Sequence, residues 1–435
     1  MKDSGIKWIG KIPEDWTVKR LKYCVNKFGG GGTPESSNDE FYDDEHGVNW
    51  VAIGDMSTNQ YVESTDRKVT ELGIKDKQLT IYPKGTVIYS IYATIGKVAE
   101  LKAPSTINQA ILAIIENKEI LNKNYLKKYL NFLENIVLAE TSTNTQANLN
   151  LQKVQNFMIC LPPLIEQQRI AEFLDKKCAD IDEIIAKTEK QIKTLEQYKK
   201  SIITEAVTKG FDNNLEYINN TFYKVKPQNW KLSRIKDVLS LLTDYTANGS
   251  FQSLADNVEY LDYEAYARVI RLTDLRVNME NAGIYVNEHA YNYLRKSSLF
   301  GGEILVANVG AYAGIFCEMP KCKYKATLGP NMFLLKTNKL MLQHYLYYIG
   351  LSYIVSKQLI IKATASAQPK LNKQDVKTIY ILVPPISEQK EIIEFLDNKC
   401  EEIDQIIYKQ KEGLKILKKY KQSLIYEYVT GKKRV

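Results

Sequence analysis

The chain has 435 residues, enough for two or three domains, and its 44% apolar and 25% charged composition is that of an ordinary folded protein rather than a disordered one. No apolar run approaches the ~20 residues of a membrane span, the opening MKDSGIKWIG lacks a secretory apolar region, and six scattered cysteines (Cys24, Cys160, Cys178, Cys317, Cys322, Cys400) suit a reducing compartment, so a cytoplasmic location is expected. The net charge of +8 fits a polyanionic partner without requiring one.

Residues 1–163 are expected to form a first mixed α/β domain. Within it VIYSIY, Val87 to Tyr92, reads as a strand set between Gly85 and Gly96, and YLKKYLNFLENIVL, Tyr125 to Leu138, has helical spacing ahead of the polar loop TSTNTQANLN. Pro162 and Pro163 mark the start of a long helix, 164–210. Its apolar residues fall on two heptad rows, Cys178, Ile185, Ile192 and Ala206 beside Leu174, Ile181, Leu195 and Ile202. Residues 211–385 repeat the domain design, with ILVANV from Ile304 between Gly302 and Gly314, and one helix expected over 343–358 before the loop TASAQPKLN. After Pro384 and Pro385 a second long helix and tail, 386–435, carries Cys400, Ile407, Leu414 and Tyr428 beside Leu396, Ile403, Leu417 and Leu424.

This is a duplicated molecule. The stretch LPPLIEQQRIAEFLDKK from Leu161 returns from Val383 as VPPISEQKEIIEFLDNK and continues to the end of each helix, with roughly half the aligned positions identical and no gap. Outside it Pro13, Trp16, Arg20 and Lys22 match Pro227, Trp230, Arg234 and Lys236, while Gln146, Leu149, Asn150 and Val154 match Gln368, Leu371, Asn372 and Val376. Only the middles diverge, as two similar arms working on different surfaces require. Thr188 with Gln410, and Lys199 with Lys421, place polar residues at the same two seam positions, a pattern that fixes register. Two such seams are most simply used against each other, antiparallel. A helix of about 45 residues spans about 67 Å, one to two turns of B-DNA at ~34 Å each. The heptads alone fit an ordinary dimerisation stalk equally well.

The whole chain resembles the DNA-specificity subunit of a type I restriction-modification system. The resemblance rests on WIGKIPEDWTVKRLK, GGTPES at 31–36 followed by Phe41 and Tyr42, WVAIGDM at 50–56, the Gly85 to Gly96 segment, Asn108 with Gln109, and PPLIEQQRIAEFL, in that order. The second half keeps the tryptophan opening, VIRLTDL at 269–275, the glycine-flanked strand and PPISEQKEIIEFL, but has TANGSFQSL in place of the glycine-rich run. What the resemblance implies is an α/β (α+β) fold in which two target recognition domains alternate with two long helices, paired as an antiparallel coiled coil about an internal pseudo-two-fold. Each domain would read one half of a bipartite, gapped double-stranded DNA target. The helices would set the gap and help hold two modification subunits, with restriction subunits completing the complex. Methyl transfer to adenine and DNA cleavage would lie on those partners, with S-adenosylmethionine, ATP and Mg. This chain would be no enzyme by itself, and no cofactor or metal is expected on it.

The residues agree with that division of labour. Phe28 to Gly32 formally fits F-x-G-x-G, yet no Asn-Pro-Pro-Tyr or Asp-Pro-Pro-Tyr segment accompanies it, and Gly96-Lys97 and Gly10-Lys11 lack the rest of a phosphate-binding loop. Asp55, Glu100 and Lys102 form a nuclease set only on paper, Cys317 and Cys322 lack a second ligand pair, and three histidines (His46, His289, His344) leave little for acid–base chemistry. Candidate DNA contacts in the first domain are Thr33, Ser36, Ser37, Asn38, Tyr92, Thr94, Lys97, Thr143, Asn144 and Gln146, chosen as base-edge, phosphate or stacking side chains on loops. In the second they are Asn248, Ser250, Arg268, Arg271, Arg276, Asn308, Tyr312, Lys362, Gln368 and Lys370. Side chains of these types also cap turns or simply meet solvent. A coiled-coil scaffold binding other proteins, or a self-sufficient nuclease or methyltransferase, are the alternative readings.

Overall fold

The computed structural model describes residues 1–56, 60–92, 94–142, 149–211, 214–363 and 369–435, without the side chains of 135 and 138–142. Two units emerge, one of Met1–Thr188 with Glu412–Val435, the other of Glu189–Lys411. The long helices, Leu164–Lys209 and Ile386–Val429, each contribute residues to both.

In the first unit a five-stranded sheet has the order Val25–Gly29, Ile111–Glu116, Val87–Ser90, Val98–Leu101, Tyr61–Val62, antiparallel except for its last pair. A smaller sheet pairs Val48–Val51 in parallel with Ser105–Ile107 and antiparallel with Lys68–Val69. The second unit repeats the plan. Its strands Leu239–Asp244, Met332–Thr337, Ile304–Ala307 and Phe316–Glu318 form an antiparallel sheet in that order, and Ala267–Ile270 runs parallel to Lys325–Leu328. Each unit also closes with one antiparallel pair just before its Pro-Pro, Met158–Leu161 on Thr17–Arg20 and Tyr380–Val383 on Lys231–Arg234. The helix expected over 343–358 is two, Gln343–Leu351 and Tyr353–Ala363. Ser352 breaks it: its backbone is extended, and its hydroxyl donates to Ile349 O (2.6 Å) while accepting from Val355 N–H.

The start of each long helix is locked the same way. Gln167, 1% exposed, accepts Asn122 N–H (2.8 Å) and donates to the carbonyls of Ile120 and Pro162 (both 2.9 Å). Gln389, fully buried, accepts Leu342 N–H (2.8 Å) and donates to the carbonyls of Leu340 and Pro384 (both 2.9 Å). One amide thus satisfies three backbone groups at a loop that would otherwise bury them unpaired.

Within each unit the helix segments pack antiparallel. In the first, Phe173 meets Tyr428 (centroids 4.6 Å apart) and Asp182 meets Lys421 (2.6 Å). In the second, Gln191 meets Gln410 and Lys199 meets Asp404 (2.6 Å). Lys199–Asp404 and Lys421–Asp182 are the same contact in the two copies, so the polar seam lysines have defined partners. Exposed pairs of this kind contribute little stability but penalise a shifted register. Leu174, Cys178, Ile181, Ile192, Leu396, Cys400, Ile403, Ile407, Leu414 and Leu424 are buried, and Ile185, Leu195, Ile202 and Leu417 half-buried. Leu174 joins the core of Trp16, Tyr89, Tyr125 and Leu424, and Leu396 that of Trp230, Phe333 and Tyr345.

One junction between sheet, short helix and long helix is repeated in place but not in chemistry. Glu100 stands opposite Val87 as Glu318 stands opposite Ile304. Glu100 is held by Lys123 (3.0 Å) and Lys127 (2.6 Å), and Lys128 reaches Asp175 (2.6 Å). In the second unit His344 bridges Glu318 and Asp397 (2.8 Å each), and Tyr348 donates to Asp397 (2.5 Å). Burial raises the Glu100 carboxyl, but the lysine hydrogen bonds outweigh it and hold it at about 2. The Glu318 hydrogen bond, against partial desolvation and with help from Asp397, raises His344 from 6.5 to about 9. A raised histidine stabilises the fold fully below its unfolded value and loses that contribution as pH climbs through the folded one. The second unit is therefore expected to lose thermal stability between pH 6.5 and about 9, and His344→Gln to flatten that dependence. Identical pH profiles for the two proteins would refute the bridge.

Candidate nucleic-acid interface

In each unit the loops that leave the parallel strand pair gather with the hairpin of the larger sheet along one edge. In the first unit Asn108 N–H bonds Val51 O (2.9 Å), Gly32 N–H bonds Ile107 O (3.1 Å), and Ile91 N–H bonds Ala110 O (2.8 Å), so three loops share one backbone network. The glycine-rich run lies flat inside it. A Cβ on Gly29 would sit 2.1 Å from Tyr82 Oη and one on Gly31 1.9 Å from Ile107 O, while Tyr82 Oη donates to Gly30 O and Trp50 Nε1 to Gly32 O. The run is a packed floor at Gly29 and Gly31, where no side chain fits, while a Cβ on Gly30 would meet open space.

On that floor Thr33 hydrogen-bonds Gln109, which the sequence reading of contacts passed over. Ser37 bonds Glu35 (3.0 Å), Asn38 accepts Glu40 N–H (3.1 Å), and Ser36 follows Glu35 in the same turn, exposed. Tyr92 (38% exposed) and Thr94 stand at the hairpin tip. Lys97 is paired with Glu134 (2.7 Å), which ties the hairpin to the helix Lys123–Ser142. Thr143, Asn144 and Gln146 lie outside the described residues. Asp55 accepts Ala52 N–H (2.8 Å) as the cap of a one-turn helix, and Glu100 is spent on lysines, so neither serves a nuclease set.

In the second unit Gly329 N–H bonds Ile270 O (2.8 Å) and Asn308 N–H bonds Asn331 O (3.1 Å). The polar loop joins through Leu371 N–H to Asn308 O, Gly310 N–H to Pro369 O (2.8 Å each), and a Val309–Lys370 bridge. Here the edge opens into a cavity of about 690 Å³ lined by Thr246, Phe251, Asn308, Asn331, Lys370 and Lys373. Phe251 is 83% exposed, and Asn308 Oδ1 is buried without a partner among the described residues. Arg276 stacks on Tyr312, 4.1 Å from the ring centroid. Other candidates serve the frame. Asn248 bonds Tyr245 O, Ser297 Oγ and Lys296 N–H, and Ser250 caps the helix Phe251–Asn257. Arg268, 6% exposed, donates to Met279 O and to both oxygens of Asn281. Lys362 is half-buried on the helix Tyr353–Ala363, and Gln368 lies outside the described residues. Phe251, Asn331 and Lys373 were missed, because nothing in an isolated loop sequence says which face it turns outward.

Among the described residues, no three His, Cys, Asp or Glu side chains gather as metal ligands would, and no helix is long and apolar enough to cross a membrane. The family described as type I restriction modification DNA specificity domain matches residues 13–194 and 227–416. The chain is 24% identical to the type I restriction enzyme MjaIX specificity subunit of Methanocaldococcus jannaschii, covering 98% of this chain and 95% of that one. Its fold is similar to the HsdS subunit from Thermoanaerobacter tengcongensis (TM-score 0.53, 17% identity, 99% and 100% covered). It is also similar to a chain from a study of complex assembly and conformational transition of the type I R-M system (TM-score 0.72, 16% identity, 96% and 98% covered).

Proposed function

Because the chain belongs to the family of type I restriction modification DNA specificity domains, we propose that it supplies sequence specificity to a type I restriction-modification complex, each recognition domain reading one half of a gapped DNA target. The observation that carries this reading is one frame with two fillings. The strand pair, the capped turn and the glutamine lock recur in both units, while the loop edges they support carry different side chains, Thr33, Ser37 and Asn38 in the first against Phe251, Asn331 and Lys373 in the second. A protein-binding scaffold has no need of that contrast. The recognition domains correspond to residues 1–163 and 211–385, and the spacer helices to 164–210 and 386–435. The chain works in the cytoplasm with two modification subunits and with restriction subunits. These hold S-adenosylmethionine, ATP and Mg and carry out methylation and cleavage.

The test is methylome sequencing of a host expressing the chain with its cognate modification subunit, against the same host lacking only this chain. A new bipartite motif with a fixed gap is expected. Exchanging residues 17–160 for those of a relative should then change one half-site and leave the other. Both halves changing, or no motif from a stable complex, would overturn the reading.

A further inference from the structure

The duplicated frame provides an internal control for one side chain. After the strands Val48–Val51 and Ala267–Ile270 the chain makes the same capped turn: Asp55 accepts Ala52 N–H and Asp274 accepts Arg271 N–H, each at 2.8 Å. Alanine suffices at this position in the first unit. The guanidinium of Arg271 is therefore surplus to the turn, yet it is held firmly, with Nε and Nη2 donating to the two oxygens of Asp274 at 3.0 Å each. Asp274 is fully buried and is fixed in turn by Asn281 Nδ2 (2.6 Å). The stem of Arg271 lies over Gly329, where a Cβ would come within 3.1 Å of its Cγ, and the side chain is 32% exposed.

We infer that Arg271 reads a guanine in the half-site recognised by the second unit, aimed by Asp274; the inference rests on the DNA-specificity reading above. A guanidinium carries five N–H groups. Asp274 takes two along the Nε edge, and both Nη1 hydrogens and one on Nη2 have no protein acceptor among the described residues. That remaining end is the fork that matches O6 and N7 of guanine in the major groove. Holding it by a buried carboxylate removes the rotamer freedom a long side chain otherwise loses on binding. One turn further on, Arg276 lies on the Tyr312 ring at the same edge, a second cation placed for the neighbouring phosphate.

The experiment is motif sequencing of methylated DNA for the wild-type chain, Arg271→Ala and Arg271→Lys, each assembled with its modification subunit, with thermal unfolding as the folding control. Asp274 is fully buried where Asp55 is half-buried, so Arg271→Ala leaves its carboxylate to Asn281 and Arg268 (3.9 Å), and Arg271→Lys, which keeps a cation at that position, carries the test if the first variant unfolds. Arg271→Ala is expected to lose guanine preference by about tenfold or more at one fixed position of one half-site, with the other half-site and the gap unchanged. Arg271→Lys should recover that preference only partly, because an ammonium presents no fork. A wild-type motif that Arg271→Ala leaves unaltered, or a second half-site without a G·C pair, overturns this inference alone. A wild-type chain that confers no bipartite motif overturns the specificity reading and this inference with it.

Discussion

Gln389→Leu is expected to destabilise the second unit by about 3 kcal/mol, and Gln167→Leu the first by a similar amount, since each strips partners from three backbone groups that cost about 1 to 3 kcal/mol apiece when buried unpaired. Leucine fills most of the volume, so the loss reports hydrogen bonding rather than a cavity. The two glutamines belong to different units, so their effects in the double variant should add. Gln389→Glu discriminates further. Ionised, its second oxygen would face the Leu340 and Pro384 carbonyls that now accept from Nε2; protonated, it could donate to one of them. It should therefore be unstable at neutral pH and partly recover as pH falls toward the carboxyl range. Chemical denaturation measures each case, and a Leu variant within about 0.5 kcal/mol of wild type would show the lock to be incidental.

These glutamines also mark how far sequence could be read. Both stand three residues into a repeated proline-started helix, so their recurrence was visible, but a glutamine in a first helical turn ordinarily faces solvent. Only the returning loops at Ile120 and Leu340 make it an interior group. The long helices were legible because a heptad seam is a local pattern that their packing obeys. The split at Ser352 was not, since apolar spacing runs through it and the break comes from one hydroxyl preferring backbone partners. The loop edges were least legible. Asn248 and Asn308 are the same residue type on two loops of the second unit, yet one is spent on Tyr245, Ser297 and Lys296 while the other lines an open cavity. Arg268 and Arg271 lie three residues apart, and strand geometry puts the first inside and the second at the rim. Asp274 could have been anticipated, because WVAIGDM and RVIRLTDL place an aspartate at the same step in both halves.

Removing residues 186–192 and 408–414, one heptad from corresponding places in the two helices, is expected to abolish methylation at the original spacing while both half-sites remain individually readable. Seven residues preserve the phase of both seams, so Lys199–Asp404 and Lys421–Asp182 survive. The helices nevertheless shorten by about 10 Å at ~1.5 Å per residue, the length of roughly three base pairs at ~3.4 Å. Three base pairs also turn B-DNA by about 100° at ~10.5 per turn, whereas a heptad returns a coiled coil almost to its starting orientation. Binding should therefore move to a shorter gap only with weakened affinity, which a set of duplexes with fixed half-sites and stepped gaps would measure. Four residues removed from each helix supply the contrast. That deletion throws the apolar rows out of phase, so the helix pair itself should fail in thermal unfolding, before any question of DNA spacing arises. A heptad-deleted protein that still methylates the original spacing at the wild-type level would mean that the gap is set by something other than helix length.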